Sequence, residues 1–409
     1  MIQRSAVFLL VLILVSHQVG GYDADEISTF VAPDNSFEAL SSFLESVDSF
    51  LYLSVYQISS PDVAREITEL LQEGKNVTIL VDESPAGGFP DLEKPILSML
   101  VREGAGVYLG SPEYRFNHAK YGVADNETLF LTSENIGQSG FPASGESGNR
   151  GWGVVVEDAE LSTSFVNIFY SDLKESEPFL DTSMSFSQDD AIVLDNYDPE
   201  FIFEEYSGSY PVVTVIAPEN AVEKIVSLIE SANESLYIEQ FYVYKYWGKP
   251  KTGSVSNNPN LFLESSIDAA RRGVSVKILL DDTWYNIEED DPISNLNTMR
   301  YVNGIAKNEG LDLEARLIDS DNLGIEKLHV KGAVVDEKAV LVSSINWNEN
   351  SPTNNREAGL IIYGEPAEYF AKVFEHDWGE VSETNDNNIE LIAIFGILVF
   401  VFLLRRRKH

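Results

Sequence analysis

The chain contains no cysteine. Disulfides, thiolate nucleophiles and cysteine-ligated zinc are therefore excluded. Histidine is almost as scarce, with five in 409 residues. His17 lies in an apolar leader and His409 ends the sequence, which leaves His118, His329 and His376 for imidazole chemistry. Positive charge is also short: 28 lysines and arginines stand against 66 acids, a formal net charge of −38. Such a surface repels nucleic acid and anionic lipid unless salt screens it.

Apolar runs suited to a membrane occur only toward the ends. Arg4 followed by Val7 to Val15 and the small residues to Gly21 predicts a signal peptide over 1–21. Leu391 to Leu404 is unbroken apolar sequence, followed by Arg405-Arg406-Arg407-Lys408. That pattern predicts a tether over 381–388, a transmembrane helix over 389–404 and a cytoplasmic basic tail over 405–409. The catalytic region is then expected outside the cell membrane, on a single-pass protein.

Two short stretches carry the chemistry. His118-Ala119-Lys120 is followed after four residues by Asp125, and after seven more by Ser133 and Asn135. His329-Val330-Lys331 repeats the spacing with Asp336, Ser344 and Asn346. Residues two apart on a strand share a face, so each His-Lys pair and each Ser-Asn pair points one way. Each stretch reads as a β-hairpin presenting an imidazole, an ammonium, a hydroxyl and an amide to one spot. That set suits a phosphate: Lys neutralises it, Ser and Asn donate to its oxygens, and His can attack or move a proton. Asp125 and Asp336 fall on the opposite strand face and are expected to be structural.

This H-x-K-x4-D pattern with its trailing S-x-N resembles the phospholipase D superfamily, the HKD phosphodiesterases, in both halves of the chain. Glu45-Ser46 answers Glu230-Ser231, Leu51-Tyr52-Leu53 answers Leu236-Tyr237-Ile238, and Gly74 through Asp82 answers Gly273 through Asp281. The expected fold class is α/β: two similar α-β-α sandwich halves with mixed sheets, related by a pseudo-twofold axis. The halves are expected over 28–186 and 208–380, with an irregular acidic linker over 187–207.

The resemblance implies a metal-independent phosphodiesterase with no cofactor. One histidine forms a phosphohistidine, the other protonates the leaving alcohol, and Lys120 and Lys331 stabilise the phosphate charge. Asn355-Arg356-Glu357 is similar to the family's downstream N-x-E segment, so Glu357 is expected to bond His329 and hold it protonated as the general acid. The first half has Asn149-Arg150-Gly151 there, which leaves the acid partner of His118, the expected nucleophile, open. The residue before each motif serine, usually glycine in the family, is Thr132 or Ser343. His376 aligns with Ser171 and is expected outside the site.

For the substrate, a phospholipid hydrolysed or transferred at the membrane is favoured by the acidic charge and the short tether. A membrane-tethered nuclease is the alternative, and a non-catalytic binding module is disfavoured by two intact His-Lys pairs. No oligomer is required, because one chain holds both half-sites. The loop after Val243 carries Tyr246, Trp247 and Lys249 and is expected to overhang the cleft as a substrate or lipid anchor. The competing expectation is that its aromatics only pack down beside Trp284 and Tyr285.

Overall fold

Both copies of the duplicated sequence fold into the same run of elements. The structure, a computed structural model, describes residues 21–187 and 190–379. The first half runs β1 (Tyr22–Ala32), α1 (Ser36–Glu45), β2 (Phe50–Ser54), α2 (Pro61–Gln72), β3 (Asn76–Val81), α3 (Glu93–Glu103), β4 (Gly106–Leu109), β5 (Tyr121–Ala124), β6 (Thr128–Thr132), β7 (Gly151–Glu157), α4 (Ala159–Leu173) and the short β8 (Glu177–Pro178). The second runs β9 (Glu204–Ala217), α5 (Ala221–Glu230), β10 (Ser235–Gln240), α6 (Leu261–Arg271), β11 (Ser275–Leu280), α7 (Asn295–Glu309), β12 (Leu313–Leu317), α8 (Ser320–Leu323), β13 (Lys331–Val335), β14 (Ala339–Ser343), α9 (Asn350–Asn354), β15 (Glu357–Tyr363) and α10 (Pro366–Gly379).

The halves are not two separate sheets. Their strands merge into one 15-stranded sheet, ordered β12-β11-β10-β13-β14-β15-β9-β1-β7-β6-β5-β2-β3-β4-β8. Read outward from the centre, β9-β15-β14-β13-β10-β11-β12 mirrors β1-β7-β6-β5-β2-β3-β4. The join is the antiparallel pairing of β1 with β9, from Tyr22↔Val212 to Thr29↔Glu204. An unpaired central edge would leave a row of backbone donors and acceptors open, and this pairing removes both edges at once. Strand β1 starts ahead of the boundary expected at 28, and β9 starts inside the expected linker.

Strands buried on both faces explain the near-continuous apolar runs. Trp152, Val154, Val156, Val340 and Val342 point into a central core shared by both halves, under α4 and α10. Leu51, Leu53, Ile79 and Val107 face α1 to α3. Leu236, Ile238, Ile278 and Leu341 face α5 to α7. Trp152 of the first half packs on Phe370 of the second, ring centroids 4.9 Å apart.

The expected signal peptide and transmembrane run lie outside the described residues. Among the described residues no helix is long and apolar enough to cross a membrane.

Candidate active site

Each hairpin tip is tied down by its aspartate. Asp125 accepts from the backbone N–H groups of Asp48, Ser49 and Phe50 at 2.6 to 3.0 Å. Asp336 does the same for Glu234 and Ser235, at 2.8 and 2.9 Å. Both sit in left-handed backbone, at φ 53° and 52°, as a tight hairpin turn requires. These acids hold the hairpins against the starts of β2 and β10, away from the histidines.

The strand entering each histidine pairs with the opposite half. His118 N–H donates to Arg356 O and Arg356 N–H to Phe116 O, at 2.8 and 2.9 Å. His329 N–H likewise donates to Arg150 O, and Arg150 N–H to Lys327 O, at 2.8 and 2.9 Å. The two arginines are buried and reach across the seam. Arg150 pairs with Asp377 of α10 and Arg356 with Asp172 of α4, each at 2.9 Å. Both histidines are thereby brought to one place at the centre of the molecule.

Their carboxylate partners also cross the seam, which corrects the expected assignment. Glu357 lies 2.8 Å from Nδ1 of His118, not beside His329. It opens β15 next to Arg356, the residue paired with the His118 strand, so its side chain reaches that ring. His329 Nδ1 lies 3.2 Å from Oε1 of Glu134, a residue the sequence reading did not single out. Asn149 donates to the other oxygen of Glu134 at 2.8 Å. The signal was present: Glu134 is the middle residue of Ser133-Glu134-Asn135 where the second copy has Ile345, and Gly151 stands where the second copy has Glu357.

The two acids differ in support. Glu357 accepts from Ser344 at 2.6 Å and Asn355 at 2.9 Å, and also from Ser351. Burial alone would raise it, but His118, Lys120 and these donors hold it below the usual carboxylate range. Glu134 has fewer donors, and burial pushes it up to about 7 despite Lys331 and Asn149.

Burial also lowers His118, to about 4, with Lys120 and Lys331 adding to the effect against Glu357. His329 is lowered well below its ordinary value by burial and then by Lys331, Lys327 and Lys120. It is therefore not held protonated in the free site, as had been expected. Lys120 and Lys331 donate to the carbonyls of His118 and His329 two residues back. Burial lowers both lysines, Lys120 to about 8. Tyr56 packs edge-on against His118 and Phe241 against His329, at 4.6 and 4.9 Å. Each of those rings lies 5.2 Å from the lysine of the same hairpin.

Other expected residues divide. Ser133 and Ser344 are buried: Ser133 Oγ accepts from Trp152 N–H, and Ser344 Oγ donates to Glu357, so the Ser344 proton goes to that carboxylate and not to a phosphate. Asn346 lines a 330 Å³ cavity beside His118, and Asn135 a 710 Å³ cavity on the other side. His376 lies outside the site, against Phe201 and Asp377.

The loop after Val243 is corrected in part. Trp247 is buried on Phe262, not on Trp284 or Tyr285. Tyr246 is buried and donates to Pro250 O at 2.6 Å, while Lys249 points to solvent. The loop meets the cavity beside His118 through Tyr244 and Gly248, next to Tyr242. Apolar rings in a folded loop fill the nearest core, and Phe262 and Trp347 supply it here.

Comparison with known proteins agrees with this architecture. The sequence matches the family described as cardiolipin synthase, PLD-like domain, over residues 40–173 and 225–378. The fold is similar to that of phosphatidylserine synthase from Haemophilus influenzae, with a TM-score of 0.63, 16% identity, and 89% and 87% of the two chains covered. It is also similar to polyphosphate kinase from Porphyromonas gingivalis, with a TM-score of 0.51, 12% identity, and 85% and 50% covered. DISARM protein DrmC of Bacillus paralicheniformis is 24% identical over 164 residues, 39% of this chain and 57% of that protein. With two matched segments that coincide with the two halves, this chain belongs to the phospholipase D-like family.

Proposed function

We propose that the protein cleaves a phosphodiester through a phosphohistidine, and that its natural diester is a phospholipid. The observation that carries this reading is the pair of histidines meeting at the seam, each with Nδ1 on its own carboxylate. His118 donates Nδ1–H to ionised Glu357, which leaves the Nε2 lone pair for phosphorus. As the P–N bond forms, the bond to the leaving oxygen breaks and its electron pair goes to that oxygen. His329 supplies the proton from Nε2, while Nδ1 takes the proton that Glu134 holds near neutrality. Water or a second alcohol then gives its proton to His329 Nε2, attacks phosphorus and releases His118. The Nδ1 proton returns to Glu134. Lys120 and Lys331 offset charge on the non-bridging oxygens, whose arrival in turn favours the charged form of both lysines. Among the expected roles, His118 as nucleophile is retained here, and Glu357 becomes its orienting acid.

A phospholipid is supported by the family description, by the net charge of −38 and by the apolar run Leu391 to Leu404 with its basic tail. That run also supports a membrane location with the catalytic region outside. A nuclease reading has one observation in its favour: Tyr242 and Tyr244 stack at 5.2 Å beside the cavity and offer a face to a base. Incubating the full chain in detergent with mixed phospholipids and with single-stranded DNA, with and without chelator, tests the proposal. Phospholipid turnover that persists in chelator is expected. Turnover of DNA alone would favour the nuclease, and turnover of neither would reject both.

A further inference from the structure

Asn-x-Ser/Thr, with any residue but proline in the middle, is the acceptor pattern for N-linked sugar in exported proteins. The chain contains it three times, at Asn76-Val77-Thr78, Asn126-Glu127-Thr128 and Asn233-Glu234-Ser235. The fold sends all three to the end of their half that lies away from the histidines. Asn76 opens β3 and pairs with Phe50 at the start of β2. Asn126 follows Asp125 in the left-handed hairpin turn that the N–H groups of Asp48, Ser49 and Phe50 hold. Asn233 precedes β10 and donates its backbone N–H to Asp336, in the equivalent turn of the second half. Seven residues separate His118 from Asp125, and His329 from Asp336, roughly 20 Å of extended chain at about 3.3 Å per residue.

The histidine end also carries asparagines, yet it holds no acceptor. Asn135 and Asn149 line one cavity, and Asn346, Asn348, Asn350 and Asn355 the other. None of these has a serine or threonine two places on. At the far end the acceptor side chains are accessible: Asn76 and Asn233 are exposed and Asn126 half-exposed. Asn76 Nδ2 donates to Ser49 O at 3.4 Å and Asn233 Nδ2 to Ser231 O at 2.6 Å. Sugar replaces one of the two amide hydrogens, so the other can keep that bond. An aromatic surface lies beside Asn76. Phe50, opposite it in register, packs at 5.3 Å on half-buried Tyr52, which meets exposed Tyr170 at 5.3 Å. The negative face of such rings attracts the C–H groups of a sugar.

We infer that Asn76, Asn126 and Asn233 carry N-linked glycans, which sheathe the end of each half away from the histidines and leave the histidine end bare. This rests on the outward location read above, because the sugar is added to exported chain. The donor is a lipid-linked glycosyl phosphate. Asparagine Nδ2 bonds to the anomeric carbon as the bond from that carbon to the phosphate oxygen breaks. The electron pair leaves on that oxygen, and one amide proton goes to the transferase's base. Bulky, hydrated sugar keeps the clad end off a bilayer, so the histidine end is the one free to meet it.

Peptide mass spectrometry on the full chain, purified in detergent from the membranes of its own cells, tests the inference. Protease added to intact cells reports in parallel whether the catalytic region is outside. Sugar mass is expected on the peptides of Asn76, Asn126 and Asn233 and on no asparagine beside the histidines. Asn76→Gln, Asn126→Gln and Asn233→Gln should each remove one increment from the intact mass, and the triple variant should cleave a small soluble diester as the parent does. Thr78→Ala should also strip Asn76 while Thr78→Ser keeps its sugar, which separates loss of the acceptor from a folding defect. Bare asparagines on a chain that the protease reaches would overturn the inference and leave the outward location standing. Bare asparagines on a chain protected until the cells are opened would reject both. Sugar on an asparagine lining either cavity would overturn the inference as well.

Discussion

Gly151 and Glu134 share one volume: a Cβ on Gly151 would lie 2.4 Å from Oε1 of Glu134. The first half thus delivers its carboxylate from the S-x-N segment into space that the second half fills from the start of β15. Gly151→Ala should push Glu134 off His329. We expect at least about a tenfold loss of activity, with destabilisation of about 1–3 kcal/mol from overpacking. Combining Gly151→Glu with Glu134→Ile copies the second half and should recover part of the rate. No recovery would show that the acid's route to His329 matters beyond its presence.

The two histidines should be separable by trapping. His118→Asn and His329→Asn should each lower the rate by at least about 100-fold. Acid quenching followed by mass spectrometry should find the phosphoryl group on His118 in the parent. An adduct on His329 would reverse the roles assigned through Glu357 and Glu134.

The rate should have a bounded pH window. His118 must be neutral to attack, and burial sets that limit near 4, so the rate falls as pH drops through it. Glu134 must be protonated to supply His329, and its value of about 7 sets the fall as pH rises. Lys120, at about 8, adds a second alkaline loss. In Glu134→Gln the amide is neutral at every pH, so the alkaline limb should move up toward that of Lys120 at a reduced maximum. An unmoved limb would assign it to another group.

Asp172 and Arg356 form one of two buried ion pairs across the seam, 2.9 Å apart. Asp172→Ala removes the buried carboxylate from the guanidinium, leaving it Glu219 and Ala217 O, and should cost about 3–5 kcal/mol in chemical unfolding. Replacing both partners, as in Asp172→Leu with Arg356→Met, should cost much less. Equal losses would mean that Arg356 acts mainly through Ala217 O and Glu219.

Trp247→Ala should cost about 3–5 kcal/mol as a core truncation. Its activity on vesicles and on a small soluble diester should change by the same factor. A loss confined to vesicles would restore the loop to the membrane-anchor role expected from its composition.

Much of this was legible because the chain is written twice. The His-Lys spacing, the structural aspartates and the helix-strand order needed only local periodicity and the comparison of one copy with the other. The merger of the sheets at β1 and β9 was not visible, since strand pairing at such separation leaves no local mark and the acidic run around Glu204 reads as linker. The expectation for Glu357 differs from the structure for a related reason. Alignment places Glu357 with its own hairpin, but side chains follow the seam, where Arg356 lies beside Phe116 and His118. Tyr242 and Tyr244 were passed over for Tyr246 and Trp247 because composition shows which rings a loop holds and not which of them find a core.

The exchange of acids across the seam has a genetic corollary. Duplication ordinarily supplies a spare, so that one copy can decay while the other works. Here each copy keeps its partner's histidine in register: Glu357 of the second serves His118, Glu134 of the first serves His329, and neither histidine is bonded by the acid of its own copy. A lesion in either copy therefore disables the histidine of the other, and the chain has no redundancy despite its repetition.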